Sequence, residues 1–179
     1  MDIIDTDKLT FKTEEDDTPP EEPEKDPEED DTPPKEPDKD YGEGIYISEA
    51  ENKYNDFRNV ENTTFIIKNN NTSKRILRIT IEEVSDYTKY NTDRLPPEFV
   101  KFQATVGDSY IPATTLTNNT WIDQEGKTNY VIYEGTINAK ETQKVALALY
   151  VDYAPLTNEY QNKGFIGTIR IYVDEDSVQ

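Results

Sequence analysis

In one run of this chain, Val100, Phe102, Ala104 and Val106 are separated by Lys101, Gln103 and Thr105. Side chains of a β-strand leave alternately on its two faces, so this spacing makes one face apolar and the other polar. The pattern recurs. Leu77, Ile79 and Ile81 share a face between Arg75 and Glu83, with Arg78, Thr80 and Glu82 on the other. Val145, Leu147, Leu149 and Val151 do the same, as do Phe165, Gly167, Ile169, Ile171 and Val173. Ile45 and Ile47 open a further strand, Thr64 to Lys68 forms another, and Tyr110 to Ala113 and Tyr130 to Ile137 bring the total to roughly eight. Segment 49–60 holds at most one helical turn. Many short strands with one apolar face each must bury those faces against one another. The predicted class is therefore all-β, an antiparallel two-sheet β-sandwich, with immunoglobulin-like and jelly-roll arrangements both compatible. The polar run Asn69 to Ser73 reads as a turn tolerant of left-handed backbone, joining its flanking strands as a hairpin. Gly107-Asp108 marks a second turn.

The first third of the chain follows another rule. Residues 14–26 read EEDDTPPEEPEKD and residues 28–40 read EEDDTPPKEPDKD, a repeat with a period of fourteen and eleven of thirteen positions identical. The stretch contains no large apolar residue. It has nothing to bury against the entropy cost of ordering, and its like charges repel. The reading is a disordered, acidic, Pro-rich tether over 14–43 that carries a β-sandwich domain at 44–179. Residues 1–13 form a separate N-terminal segment. There Leu9 and Phe11 alternate with Lys8, Thr10 and Lys12, which is strand spacing, so the segment is a candidate strand for pairing in its own sheet or in a neighbour's.

Charge and composition remove several function classes. The net charge is −19. Residues 1–43 hold 19 acids and 5 lysines, whereas residues 44–179 hold 19 acids and 14 bases. Neither part offers the basic face that nucleic acids or anionic membranes require. With no Cys and no His, disulfides, thiolate chemistry, His- or Cys-based zinc sites and Ser-His-Asp triads are all ruled out. No apolar run is long enough to cross a membrane, and Met1 to Thr10 lacks the pattern of an export signal. Met1 is read either as the start of a protein made and kept without export or, with a slight preference, as a start placed ahead of a mature region.

No catalytic, cofactor or metal set is assigned. The carboxylates of the tether lack the held geometry that acid–base catalysis needs. Asp123-Gln124-Glu125-Gly126 and Asp174-Glu175-Asp176 carry oxygen ligands without the spacing of a calcium loop, and are read as a turn and a tail. The aromatic residues are the candidates for ligand contact. Tyr150 and Tyr172 fall on the polar sides of their strands, and Trp121 follows the loop Thr117 to Thr120. Flat exposed rings of this kind pack on sugar rings, so a polysaccharide is one partner class. The competing reading is that tyrosine suits half-buried strands.

The C-terminal third, YVIYEGTINAKETQKVALALYVDYAPLTNEYQNKGFIGTIRIYV, and the upstream TTFIIKNNNTSKRILRITIEEV resemble secreted β-sandwich modules of Gram-positive bacteria, broadly the camelysin and TasA-like group. The resemblance covers Thr63 to Val173. It implies a jelly-roll subunit of extracellular matrix fibres that assembles by strand donation from an N-terminal segment. The matching donor here is Lys8 to Lys12, with Leu9 and Phe11 as the inserted pair. A spacer of about 30 residues in polyproline geometry reaches on the order of 90 Å, enough to span to a neighbour. The expected function is a non-enzymatic structural or interaction protein at a cell surface or in its matrix, with a protein partner or its own copies. A virion surface protein and a carbohydrate-binding module are the alternatives.

Overall fold

A computed structural model describes residues 2–12, 42–55 and 60–175. Most of the proposed tether lies outside the described residues. The described residues form twelve strands: β1 (Asp2–Lys12), β2 (Ile45–Ile47), β3 (Glu51–Asn55), β4 (Val60–Asn69), β5 (Arg75–Glu83), β6 (Asp93–Arg94), β7 (Val100–Val106), β8 (Ser109–Thr115), β9 (Thr120–Ile122), β10 (Thr128–Ile137), β11 (Thr142–Val151) and β12 (Lys163–Glu175). Among the described residues there is no α-helix, and no helix able to cross a membrane. The segment read as one helical turn forms β3 instead. Its Glu51–Asn55 stretch pairs with Val60–Thr64, so a neighbouring strand supplies the hydrogen bonds that a short helix would have made within itself.

The strands make two packed sheets. One runs β1-β12-β5-β10-β9, with β6 joined to β12; the other runs β2-β4-β11-β7-β8, with β3 joined to β4. The orders β5-β10-β9 and β11-β7-β8 match the B-E-D and F-C-C′ strands of an immunoglobulin-type sandwich. Here β12 and β4 take the places beside them. The apolar faces meet in a single core that includes Phe65, Ile67, Leu77, Ile79, Phe102, Leu147, Leu149 and Ile171. Gly167 of β12 lets two strands approach within this core. A Cβ there would lie 2.5 Å from Ile81 Cγ2, so no larger residue fits without a shift.

The Asn69–Ser73 turn is not a hairpin. β4 lies in one sheet and β5 in the other, and the turn arches between them. Nor is its backbone left-handed: among the described residues, the non-glycine positions with positive φ are Asn91, Lys140 and Asn162. Side chains shape it instead. Fully buried Asn69 donates from Nδ2 to the carbonyls of Ser73 (2.9 Å), Ile137 (3.2 Å) and Asn138 (2.9 Å). Its Oδ1 accepts from the Asn71 backbone N–H at 3.0 Å and from Asn71 Nδ2 at 2.9 Å. One amide thus ties the β4–β5 arch to the β10–β11 turn. By contrast, Gly107-Asp108 does close a hairpin, β7–β8, with Gly107 at φ +55°.

The opposite end is closed by Glu83. Its carboxylate accepts from Tyr87 OH (2.8 Å), Tyr130 OH (3.2 Å) and Arg94 Nη2 (2.8 Å). Tyr87 OH in turn accepts the Ile166 N–H at 3.2 Å. This pins the crossing loop 84–99 onto β12. Burial, then Glu83, pushes the Tyr130 phenol up to about 12. Asn69→Ala, which strands buried carbonyls at the other end, should cost about 2–3 kcal/mol in urea unfolding without a change of fold by circular dichroism.

Candidate functional site

β12 begins after Asn162, whose left-handed backbone (φ 61°) turns the chain into the sheet. Its Ile, Val, Phe and Tyr residues suit an extended, half-buried strand. Between Gly167 and Glu175 it pairs with β5 on one side. On its other side it pairs with β1, antiparallel, through nine residue pairs from Asp2↔Val173 to Lys12↔Gly164, with an irregularity between Asp5 and Lys8. The two donor-strand residues therefore have defined places: Leu9 lies opposite Gly167, and Phe11 opposite Phe165. The N-terminal segment pairs in the sheet of its own chain.

The connection back to the body has an informative geometry. β1 ends opposite Gly164, near the end of the sandwich where Val84 N–H bonds the Ile166 carbonyl. The chain re-enters at the other end. There the Gly42 carbonyl accepts from Asn70 Nδ2 at 2.5 Å and the Gly44 carbonyl from Asn70 N–H at 2.8 Å. Residues 13–44 thus join an edge strand at one end of the body to a fixed root at the other.

Two of the three aromatic candidates come together, Trp121 and Tyr172, while Tyr150 lies on the other sheet. Trp121 sits near the start of β9, an edge strand, just after the turn at 116–119. Its ring meets Tyr172 edge-on, with centroids 4.6 Å apart at 84°. The Arg78 guanidinium lies 4.4 Å from the Trp121 ring centroid and also pairs with Glu134. Tyr172 is on the polar side of β12, as its alternation requires, but only 2% of it is exposed. It is no platform for a sugar, because Trp121 packs against it. Its hydroxyl donates to Asn129 Oδ1 (3.3 Å), which also accepts from Thr80 (2.9 Å), and burial raises its phenol pKa. Tyr150 is half-buried on the outer face of the other sheet, between Val60 and Lys101 in register. One step along that face lies a trough of about 190 Å³, lined by Asn62, Thr64, Gln103, Thr105, Ala146 and Ala148 among others.

The carboxylates have structural roles. Asp123 accepts from the backbone N–H of Glu125 (2.9 Å) and Lys127 (2.9 Å) and from Asn129 Nδ2 (3.0 Å), closing its turn. Partial burial opposes its charge, but these bonds outweigh burial and hold its pKa low. Among the described residues no group of three or more acidic residues is placed to hold a metal ion. The Glu83–Tyr87–Arg94–Tyr130 cluster escaped the sequence reading. Its members are 47 positions apart at the extremes and share no motif. It borders two open polar clefts of about 370 and 590 Å³, which share Ser85, Tyr87 and Arg94.

Trp121 packs on Tyr172 and under Arg78, so Trp121→Ala should lower stability by about 1–2 kcal/mol in urea unfolding. A ring that served only a ligand would leave stability unchanged.

No protein-family model and no curated protein matches this chain. Among solved structures, a β-glucosidase from Kluyveromyces marxianus is similar at 10% identity over 69% of this chain and 13% of that one, with a TM-score of 0.34. A likeness this weak carries no argument about activity, and the chain spans only that small part of the enzyme's length.

Proposed function

We propose that this chain is a non-enzymatic structural protein of a cell surface or extracellular matrix, whose copies join by exchanging β1. One observation carries the reading. β1 pairs with β12 as an edge strand, yet it is connected to the body only through residues 13–44. A strand held by backbone pairing can take the same place in a second copy with no new contacts, which is the economy of domain swapping and strand addition. At 3.1 Å per residue the connection reaches about 100 Å. The competition is set by effective concentration. A link of that reach favours the strand of the same chain until copies are crowded to roughly millimolar levels. A surface or matrix supplies that crowding. The acidic repeat keeps neighbouring bodies apart and hydrated.

A second reading, a polysaccharide-binding module, draws support from the trough beside Tyr150. No lining residue is charged, in a chain that is 32% charged. Glycan binding lost on Ala146→Arg but kept on Trp121→Ala would favour it.

Exchange is tested by mixing donor- and acceptor-labelled copies at high concentration. Energy transfer should grow over time together with larger species in light scattering. Leu9→Asp, or removal of residues 1–12, should abolish both. A chain that stays monomeric at millimolar concentration, or that assembles equally well without residues 1–12, contradicts the proposal.

A further inference from the structure

Glu61 lies on β4, where alternation places it on the same inner face as Thr63, Phe65 and Ile67. Only 6% of the residue is exposed, and its Oε2 is buried with no hydrogen-bond partner among the described residues. A buried carboxylate without a partner is among the costliest groups a core can hold, and the neutral acid is far cheaper.

The surroundings offer little compensation. In register, Glu61 lies opposite Leu149 of β11 and Tyr54 of β3. Thr63, two residues along on the same face, donates its hydroxyl to Asn52 of β3 at 2.9 Å. Two lysines flank the site in register, Lys53 opposite Asn62 and Lys101 opposite Tyr150, and alternation puts both on the outer face. From the facing sheet, β5 and β12 bring the uncharged Leu77, Ile79, Ile81, Phe165, Ile169 and Ile171 to the core, and β1 holds Leu9 and Phe11 at the positions of Gly167 and Phe165. The connecting residues 56–59, with Asp56 and Arg58, lie outside the described residues. Burial alone pushes the Glu61 carboxyl up to about 7.

The strand that covers Glu61 is weakly held. β3 is a five-residue edge strand, and its Glu51, Asn52 and Lys53 are exposed. Such an edge opens more readily than the core.

We infer that Glu61 is a proton-controlled latch: its neutral form keeps β3 seated on β4, and its ionised form releases β3 to let water reach the carboxylate. The sign follows from linkage. The closed state keeps the proton until about pH 7, whereas an opened or unfolded chain loses it near the ordinary carboxyl value of 4.5. Between these values the closed state binds more protons, so closure is fully stabilised below about 4.5, weakens as pH rises through 7, and levels off above. A surface assembly could thereby sense local acidity at an exposed sheet edge.

Hydrogen exchange over residues 51–69 of the full chain, corrected for intrinsic rates, tests this. From pH 5 to pH 8 the opening constant of the β3–β4 pair should rise by about 70-fold, while amides of the β5–β12 pair change far less. Glu61→Gln should flatten the profile, and Glu61→Leu, which fills the site without a polar group, gives the same readout if the amide folds poorly. Arg58→Gln should leave the profile as it is. A pH-independent wild type, a pH dependence that survives both Glu61 variants, its loss in Arg58→Gln, or equal loss of protection throughout the body would each overturn the latch.

Discussion

Between Gly167 and Val173 the backbone of β12 is paired on both sides, with β5 within the body and with β1 from the far end of the sequence. β12 is long and rich in Ile, it has no proline to blunt an edge, and its one mid-strand charge, Arg170, is taken up by Glu82 of β5. Left uncovered, it would present unpaired N–H and C=O groups beside buried apolar side chains. A partner strand is therefore a requirement of this sandwich, and β1 meets it. The core is organised around the same strand: Phe165, Ile169 and Ile171 are fully buried, and Gly167 admits the close approach of Ile81.

The two outer faces differ in how they use their polar groups. On the sheet containing β12, Arg78, Trp121, Tyr172, Asn129, Thr80 and Asp123 form one connected set, and Glu82 pairs with both Arg170 and Lys127. Those side chains are spent on holding strands and turns. The outer face of the other sheet keeps an uncharged trough floored by Ala146 and Ala148. Of the two, the second face has more capacity left for a partner.

Much of this was legible from periodicity. The alternation at 75–83, 100–106, 144–151 and 165–173 located four central strands and their inward residues, because a strand's two-residue period is written directly in the chain. What it could not distinguish was an arch from a hairpin. Asn69 to Ser73 has the same turn chemistry whether the next strand pairs with the last or crosses to the other sheet, and only the complete set of partners decides. β3 was missed because an exposed edge strand buries too little to impose a pattern. Tyr172 and Glu61 show the converse failure. Alternation correctly puts Tyr172 on the polar side, but its burial comes from Trp121, 51 positions away. Glu61 has a charged side chain at an inward position, which a strand reading that begins at Thr64 cannot register. Leu9 and Phe11 were readable as a strand, and their partner was not.

The dependence of β12 on β1 is most directly measured by hydrogen exchange along residues 164–173, in the full chain and in a chain lacking residues 1–12, with and without a peptide of residues 2–12. The account predicts strong protection in the full chain, its loss in alternate β12 amides on truncation, and its return when the peptide is added. Equal protection of β12 in all three samples would contradict it.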